Sequence, residues 1–116
     1  MAEKVLVVDD EGGIRHVLEM SLGTAGYQVL TADSGKRALT IARDEHPSIV
    51  LADIKMPGMD GIQLLQKIKE ESPDTEVIMM TGHADLELAI QSLKFEASDF
   101  ITKPVNYDAL EIALKR

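Results

Sequence analysis

The sequence has no cysteine and no tryptophan, and its aromatic rings come from only two phenylalanines and two tyrosines. Without thiols there is no disulfide framework, no thiolate metal site and no thiol nucleophile. With so few flat rings, single-stranded nucleic acid has little on which to stack its bases. No apolar run approaches the ~20 residues that cross a bilayer, which excludes a membrane span. The opening Met1-Ala2-Glu3-Lys4 leads directly into a short apolar run, and nothing there reads as a cleavable signal. These absences fit a cytoplasmic protein. Positive charge is also scarce, with 12 Lys and Arg against 20 Asp and Glu, a formal net charge of −8. A phosphate backbone is held by clustered Lys and Arg, so direct nucleic-acid binding is not expected. A cation or a basic partner surface suits this balance better.

What is present is enough for one domain with one sizeable core. The chain has 116 residues, 45% of them hydrophobic and 28% charged, an ordinary globular composition. Short apolar runs alternate with stretches of helical period. Val5–Val8, Val29-Leu30, Ile49–Ala52, Val77–Met80 and Phe100-Ile101 read as strands. Three of them are nearly continuously apolar, as parallel strands covered on both faces should be. Between them, Ile14, Val17, Leu18, Leu22 and Ala25 share one helix face, and Ala38, Ile41 and Ala42 a second. Leu64, Leu65 and Ile68 mark a third, Leu86, Ala89, Ile90 and Leu93 a fourth, and Leu110, Ala113 and Leu114 a fifth. The punctuation agrees. Asp60 stands three residues before Gln63 as in a capping box, and Ser34 and Asp85 can cap the second and fourth helices. Gly26 ends the first helix, and Pro73 stops the third. Strict alternation with right-handed crossovers predicts a doubly wound α/β fold, a parallel sheet with helices on both faces.

In such sheets ligands bind beyond the carboxyl ends of the strands, near the switch in strand order. Asp9 and Asp10 follow the first strand, Asp53 the third, Thr81 closes the fourth and Lys103 lies just past the fifth. The second strand, ending Thr31-Ala32-Asp33, is set aside as an edge strand. Three carboxylates at close quarters repel one another unless a cation sits among them. Hard oxygen ligands suit Mg²⁺, which keeps several waters and takes up phosphate oxygens. A metal, the Lys103 ammonium and the Thr81 hydroxyl around a carboxylate would stabilise the spread charge of a transferring phosphoryl group. Each residue alone has an ordinary explanation as a turn former, a strand end or a surface lysine; their meeting on one rim carries the argument. His16, His46 and His83 have no metal-site spacing, and His16 and His46 read as surface residues.

The local sequence resembles the receiver domain of two-component response regulators. The matching stretches are Val5–Glu11, Leu51–Gly61, Met80–His83 and Asp99–Pro104, in the right order over nearly the whole chain. The resemblance implies a flavodoxin-like fold, with five strands in the order 2-1-3-4-5 and five helices. It implies that Asp53 is the phosphoacceptor, and that Asp10 and Asp53 ligate Mg²⁺ directly with the backbone carbonyl of Lys55, while Asp9 acts through a water. Lys103 would contact the phosphoryl group, Thr81 would hydrogen-bond one of its oxygens, and the Lys103–Pro104 peptide would be cis. The donor would be the phosphohistidine of a sensor histidine kinase or a phosphotransfer protein. Phosphorylation would draw Thr81 inward and let Phe100 turn from an outward to a buried rotamer, reshaping the face of the fourth helix, fifth strand and fifth helix. On sequence alone Phe100 is equally an ordinary core residue.

Three features depart from the resemblance or bear on it. Glu96-Ala97 stands where many receivers carry Gly-Ala, and a positive φ at a residue with a Cβ costs of the order of 1 kcal/mol, so this turn is expected to be built differently. Lys55 and His83 occupy the two variable positions that tune acyl-phosphate lifetime in the family, or are simply solvated. The chain stops at Lys115-Arg116, inside what should be the last helix, and reads as a domain excised from a longer protein with an output domain beyond Arg116. Dimerisation through the fourth helix, fifth strand and fifth helix is compatible with this. A phosphatase of the haloacid-dehalogenase type would need an Asp where Lys55 stands, and no phosphate-binding glycine loop follows any strand. The competing reading is a binding module with a receiver fold that docks a partner without being phosphorylated.

Overall fold

The computed structural model describes residues 2–115; Arg116, expected within the last helix and ahead of an output domain, lies outside them. Five strands, β1 (Lys4–Val8), β2 (Gln28–Ala32), β3 (Ile49–Asp53), β4 (Glu76–Thr81) and β5 (Asp99–Thr102), alternate with five helices. The helices are α1 (Gly12–Thr24), α2 (Gly35–Glu45), α3 (Gly61–Glu71), α4 (Leu86–Ser92) and α5 (Tyr107–Lys115). Short 3₁₀ turns, His83–Asp85 and Leu93–Phe95, bracket α4. All strand pairs are parallel and the order is β2-β1-β3-β4-β5, the doubly wound arrangement expected.

Alternation along the strands divides the core between the two faces. Leu6, Val8, Val50, Ala52, Val77 and Met79 point to the side covered by α2, α3 and α4, where Leu39, Leu64, Leu65 and Ile68 meet them. Val5, Val7, Leu51, Ile78 and Met80 point the other way, onto Leu18 and Leu22 of α1 and Leu110 of α5. Burial on both faces is why these strands are apolar throughout.

The helix ends explain where the helices begin and stop. Ser34 accepts a hydrogen bond from the Arg37 N–H at 3.2 Å, and Asp60 and Gln63 form the full capping box. Asp85 stands at the N-cap of α4, but its side chain makes no capping bond; it is ion-paired instead, as described below. After α1, Gly26 takes φ 101° and the chain closes with the bonds Gly26 N–H to Gly23 and Tyr27 N–H to Leu22. The turn before β5 repeats this pattern. Glu96 takes φ 73°, with Glu96 N–H to Leu93 and Ala97 N–H to Ser92, both 3.2 Å. The missing glycine therefore does not change the turn as expected. The two hydrogen bonds of a Schellman closure hold a glutamate in the left-handed region despite its Cβ.

Two of the predicted helix faces are corrected. In α4 only Ala89 of the four stripe residues is buried; Leu86, Ile90 and Leu93 are exposed, while Ala89 and Ser92 face the sheet with Leu88 beside them. Both stripes have helical spacing. The small one packs down because a short helix can then lie close to the sheet, and the Ser92 hydroxyl is satisfied by the Ala89 carbonyl at 2.5 Å. In α1, Leu18 and Leu22 are buried, but Val17 lies a residue round the helix and is exposed, and Ala25 is the exposed C-cap.

Candidate functional site

The switch in strand order falls between β1 and β3. Val8 pairs with Ala52 there, which brings Asp9 and Asp53 side by side at the carboxyl end of the sheet. Asp9 is fully buried and Asp53 nearly so. Burying two neighbouring carboxylates without compensation would be prohibitive, and the compensation is visible. Lys103 reaches in from the end of β5, its Nζ 2.9 Å from Asp9 Oδ2 and 3.1 Å from Asp53 Oδ2. Its backbone is fixed by a 2.7 Å bond from its N–H to the Thr81 carbonyl, and the Lys103–Pro104 peptide is cis. The remaining Asp9 oxygen accepts from the Glu11 N–H at 2.9 Å. Asp9 is thus committed on both oxygens, whereas Asp10 is exposed.

The electrostatics are balanced unequally. Burial raises Asp53 above the ordinary carboxylate range, and the charge of Asp9 adds to this; the hydrogen bonds from Lys103 and from the Lys55 backbone N–H act in the opposite sense without cancelling it. Burial alone would lower Lys103, but its contacts with Asp9 and Asp53 outweigh it and hold the ammonium above the ordinary lysine value. One ammonium cannot neutralise three carboxylates. One oxygen from each of Asp9, Asp10 and Asp53 lies within 4.8 Å of the others, a hard-oxygen cluster able to hold a metal ion.

The other predicted residues line the same rim. Thr81 is buried at the end of β4, and its hydroxyl donates to the Gly82 carbonyl at 3.0 Å. Phe100 is half-buried against the core under α2, α3 and α4. The Lys55 side chain extends over the surface to Asp85, at 3.0 Å, and His83 is exposed beside it.

Two contributors carry weak sequence signals. Arg15 donates to the Asp9 carbonyl at 2.6 Å, tying the start of α1 to the acidic turn. Gly61 opens α3 so close to β3 that an added methyl would overlap the Asp53 carbonyl oxygen and come within 2.8 Å of the Ile54 Cα. A glycine at the first helical position, where no unusual φ is needed, is the one mark that could have pointed to this close approach.

The doubly wound sheet with a buried aspartate pair, a bridging lysine and a strand-end threonine at its switch point is the frame of a phosphoacceptor signalling module. Residues 5–115 match the family model "response regulator receiver domain", and the chain belongs to that family. The chain is 37% identical over 113 residues to the Escherichia coli regulatory protein AtoC, covering 97% of this chain and 24% of that protein. It is 42% identical over 113 residues to the probable transcriptional regulator ycf27 of Porphyra purpurea, covering 97% and 46%. Among solved structures, a receiver domain from Clostridium thermocellum superposes with a TM-score of 0.94 at 37% identity, covering 97% and 91% of the two chains. The Vibrio cholerae chemotaxis protein CheY4 superposes with a TM-score of 0.92 at 30% identity, covering 100% and 98%. The chain spans about a quarter of the length of AtoC and less than half of ycf27.

Proposed function

We propose that Asp53 is the residue that carries the phosphoryl group. A carboxylate oxygen of Asp53 attacks phosphorus on the phosphohistidine of a sensor histidine kinase or phosphotransfer protein. The P–N bond breaks, the imidazole leaves with the electron pair, and Asp53 becomes an acyl phosphate. Water later attacks phosphorus, breaks the P–O bond and restores the carboxylate. The domain is thus a switch that assists its own phosphorylation and dephosphorylation rather than an enzyme acting on a separate substrate. The observation that carries this reading is the single Lys103 ammonium lying 3.1 Å from Asp53 and 2.9 Å from Asp9 at the switch point. It leaves the site net negative and gives the incoming phosphoryl oxygens a fixed cation.

The donor set fits Mg²⁺: Asp10, Asp53 and the Lys55 backbone carbonyl would hold it directly and Asp9 through a water, in keeping with the commitment of both Asp9 oxygens. When bound, the ion neutralises charge on the phosphoryl oxygens. Thr81 exchanges its bond to Gly82 for one to a phosphoryl oxygen, and Phe100 follows into the space this opens. The reshaped surface of α4, β5 and α5 carries the exposed Leu86, Ile90 and Leu93, a patch suited to a phosphorylation-dependent dimer or to an output domain. The chain acts as one receiver module of a longer regulator, with the output domain beyond Arg116, in keeping with the fraction of AtoC and ycf27 that it spans. It works in the cytoplasm, without touching nucleic acid itself; no helix among the described residues is long and apolar enough to cross a membrane.

Intact mass after incubation with a small acyl-phosphate donor, with and without Mg²⁺, tests this. One Mg²⁺-dependent phosphoryl addition is expected in the parent and none in Asp53→Asn. No addition under any donor or metal condition would overturn the reading in favour of a constitutive binding module.

A further inference from the structure

Lys55 connects two parts of the site that are far apart in sequence. It stands two residues past Asp53 in the β3–α3 loop, and its ammonium is 3.0 Å from Asp85 Oδ1 at the start of α4. The Asp85 backbone N–H in turn donates to the Gly82 carbonyl at 3.0 Å, the same oxygen that accepts the Thr81 hydroxyl. Lys55, Asp85, Gly82 and Thr81 therefore form a continuous chain of contacts that leads from the loop following Asp53 to the Thr81 hydroxyl.

The ion pair is not an ordinary surface pair. The Asp85 side chain is only 19% exposed, and among the described residues Lys55 is its one charged partner. The pair closes on a 3₁₀ turn and a seven-residue helix, elements with few backbone bonds of their own. The Lys55 side chain is 69% exposed, so its ammonium is free to swing without disturbing the core. At present it makes no ion pair with Asp9, Asp10 or Asp53, although Asp53 is only two residues away along the chain.

We propose that Asp85 is a positioning residue for Lys55: it holds the ammonium off the acceptor site and straps the start of α4 to the β3–α3 loop until a phosphoryl group competes for the same cation. The proposal rests on Asp53 being the acceptor. A phosphoryl group on Asp53 places new negative charge beside the Lys55 backbone, and the ammonium transfers to it. Asp85 is released at the moment Thr81 leaves Gly82, so both ties on the start of α4 are lost together. Strap and phosphoryl group are then coupled reciprocally: whatever weakens one strengthens the other. With Asp85 neutralised, Lys55 covers the phosphoryl group more of the time and obstructs the approach of water.

The test is a double-mutant cycle read in two ways. After loading with acyl phosphate and removal of donor, loss of the phosphoryl group is followed by intact mass in the parent, Asp85→Asn, Lys55→Met and the double variant. Asp85→Asn should lengthen the lifetime about threefold, the size expected of a half-exposed ion pair, and should have no effect once Lys55 is methionine. Lys55→Arg, which keeps a cation for Asp85 to hold, should restore the sensitivity to Asp85→Asn that Lys55→Met abolishes. Backbone hydrogen exchange of the unphosphorylated proteins is the second readout. Amides from the 3₁₀ turn through α4 should exchange faster than in the parent in each single variant, and in the double no faster than in either single. Equal effects of Asp85→Asn with and without Lys55, in either readout, would overturn the proposal and leave Asp85 a local packing residue. If the parent takes up no phosphoryl group, the acceptor assignment fails, while hydrogen exchange still decides whether the strap exists.

Discussion

At the scale of single residues, the site is built around an electrostatic excess that the protein does not neutralise. Asp53 is raised by burial and by Asp9, against the opposing pull of Lys103. A carboxyl whose folded value lies above its unfolded one favours folding when protonated. That contribution is fully present below the unfolded value and is lost as pH rises through the folded one. Metal-free Asp53→Asn should therefore be more stable than the parent at neutral pH. Urea melts over a pH series should show the gap closing on acidification; a gap that widens would contradict the charge balance. Removing the cation should act in the opposite direction. Lys103→Met leaves Asp9 and Asp53 buried without it and should destabilise by about 1–3 kcal/mol, discounted for the partial exposure of the lysine. The rim positions were legible because Asp9, Asp53 and Thr81 are each the first polar residue after an apolar run, with Asp10 and Lys103 one place further on. Arg15 was not, because a backbone carbonyl contact leaves no mark in a side-chain pattern. Nor was the Lys55–Asp85 pair, since nothing local says that two charges thirty positions apart will meet.

At the scale of elements, the strands were readable because burial on both faces forces continuous apolar runs, and the existence of all five helices was readable from their period, although the buried faces of α1 and α4 differ from the stripes expected. The fourth helix misled because hydrophobicity groups Leu86, Ile90 and Leu93, which are exposed, with Ala89 and passes over Ser92, whereas Ala89 and Ser92 are the residues that pack. Periodicity finds an amphipathic face but does not say whether the sheet or a partner covers it. The Glu96 turn has the opposite lesson. Its left-handed backbone is imposed by the Schellman bonds and not by residue type. Glu96→Gly should relieve that conformation and stabilise by about 0.5–1 kcal/mol in denaturant melts, whereas a loss of stability would mean that the glutamate side chain holds the turn. Gly61→Val should be severe, because Gly61 is buried where α3 meets β3. The added carbons must push α3 away from the strand end bearing Asp53, lowering stability by several kcal/mol, on the order of an overpacked core, together with the rate of phosphoryl uptake.

At the scale of the whole molecule, one sheet supports two separate tasks. The faces bury a core divided by strand alternation, and the carboxyl edge gathers charges that would be unstable anywhere less rigidly held. A ligand that binds only the folded state and relieves the Asp9–Asp10–Asp53 repulsion must stabilise the fold, by about 2–3 kcal/mol at a hundredfold excess over its Kd. Thermal melts with increasing Mg²⁺ should rise for the parent and much less for Asp53→Asn; equal rises would place the ion elsewhere. The membership of the family, the fold and the acidic edge all converge on one central claim, that Asp53 and not its acidic neighbours accepts the phosphoryl group. The most direct measurement is to load the protein from an acyl-phosphate donor with Mg²⁺, trap the acyl phosphate with borohydride as homoserine, and locate it by peptide mass spectrometry. The account predicts homoserine at position 53 alone. Homoserine at position 9 or 10, or label at no aspartate, would contradict it.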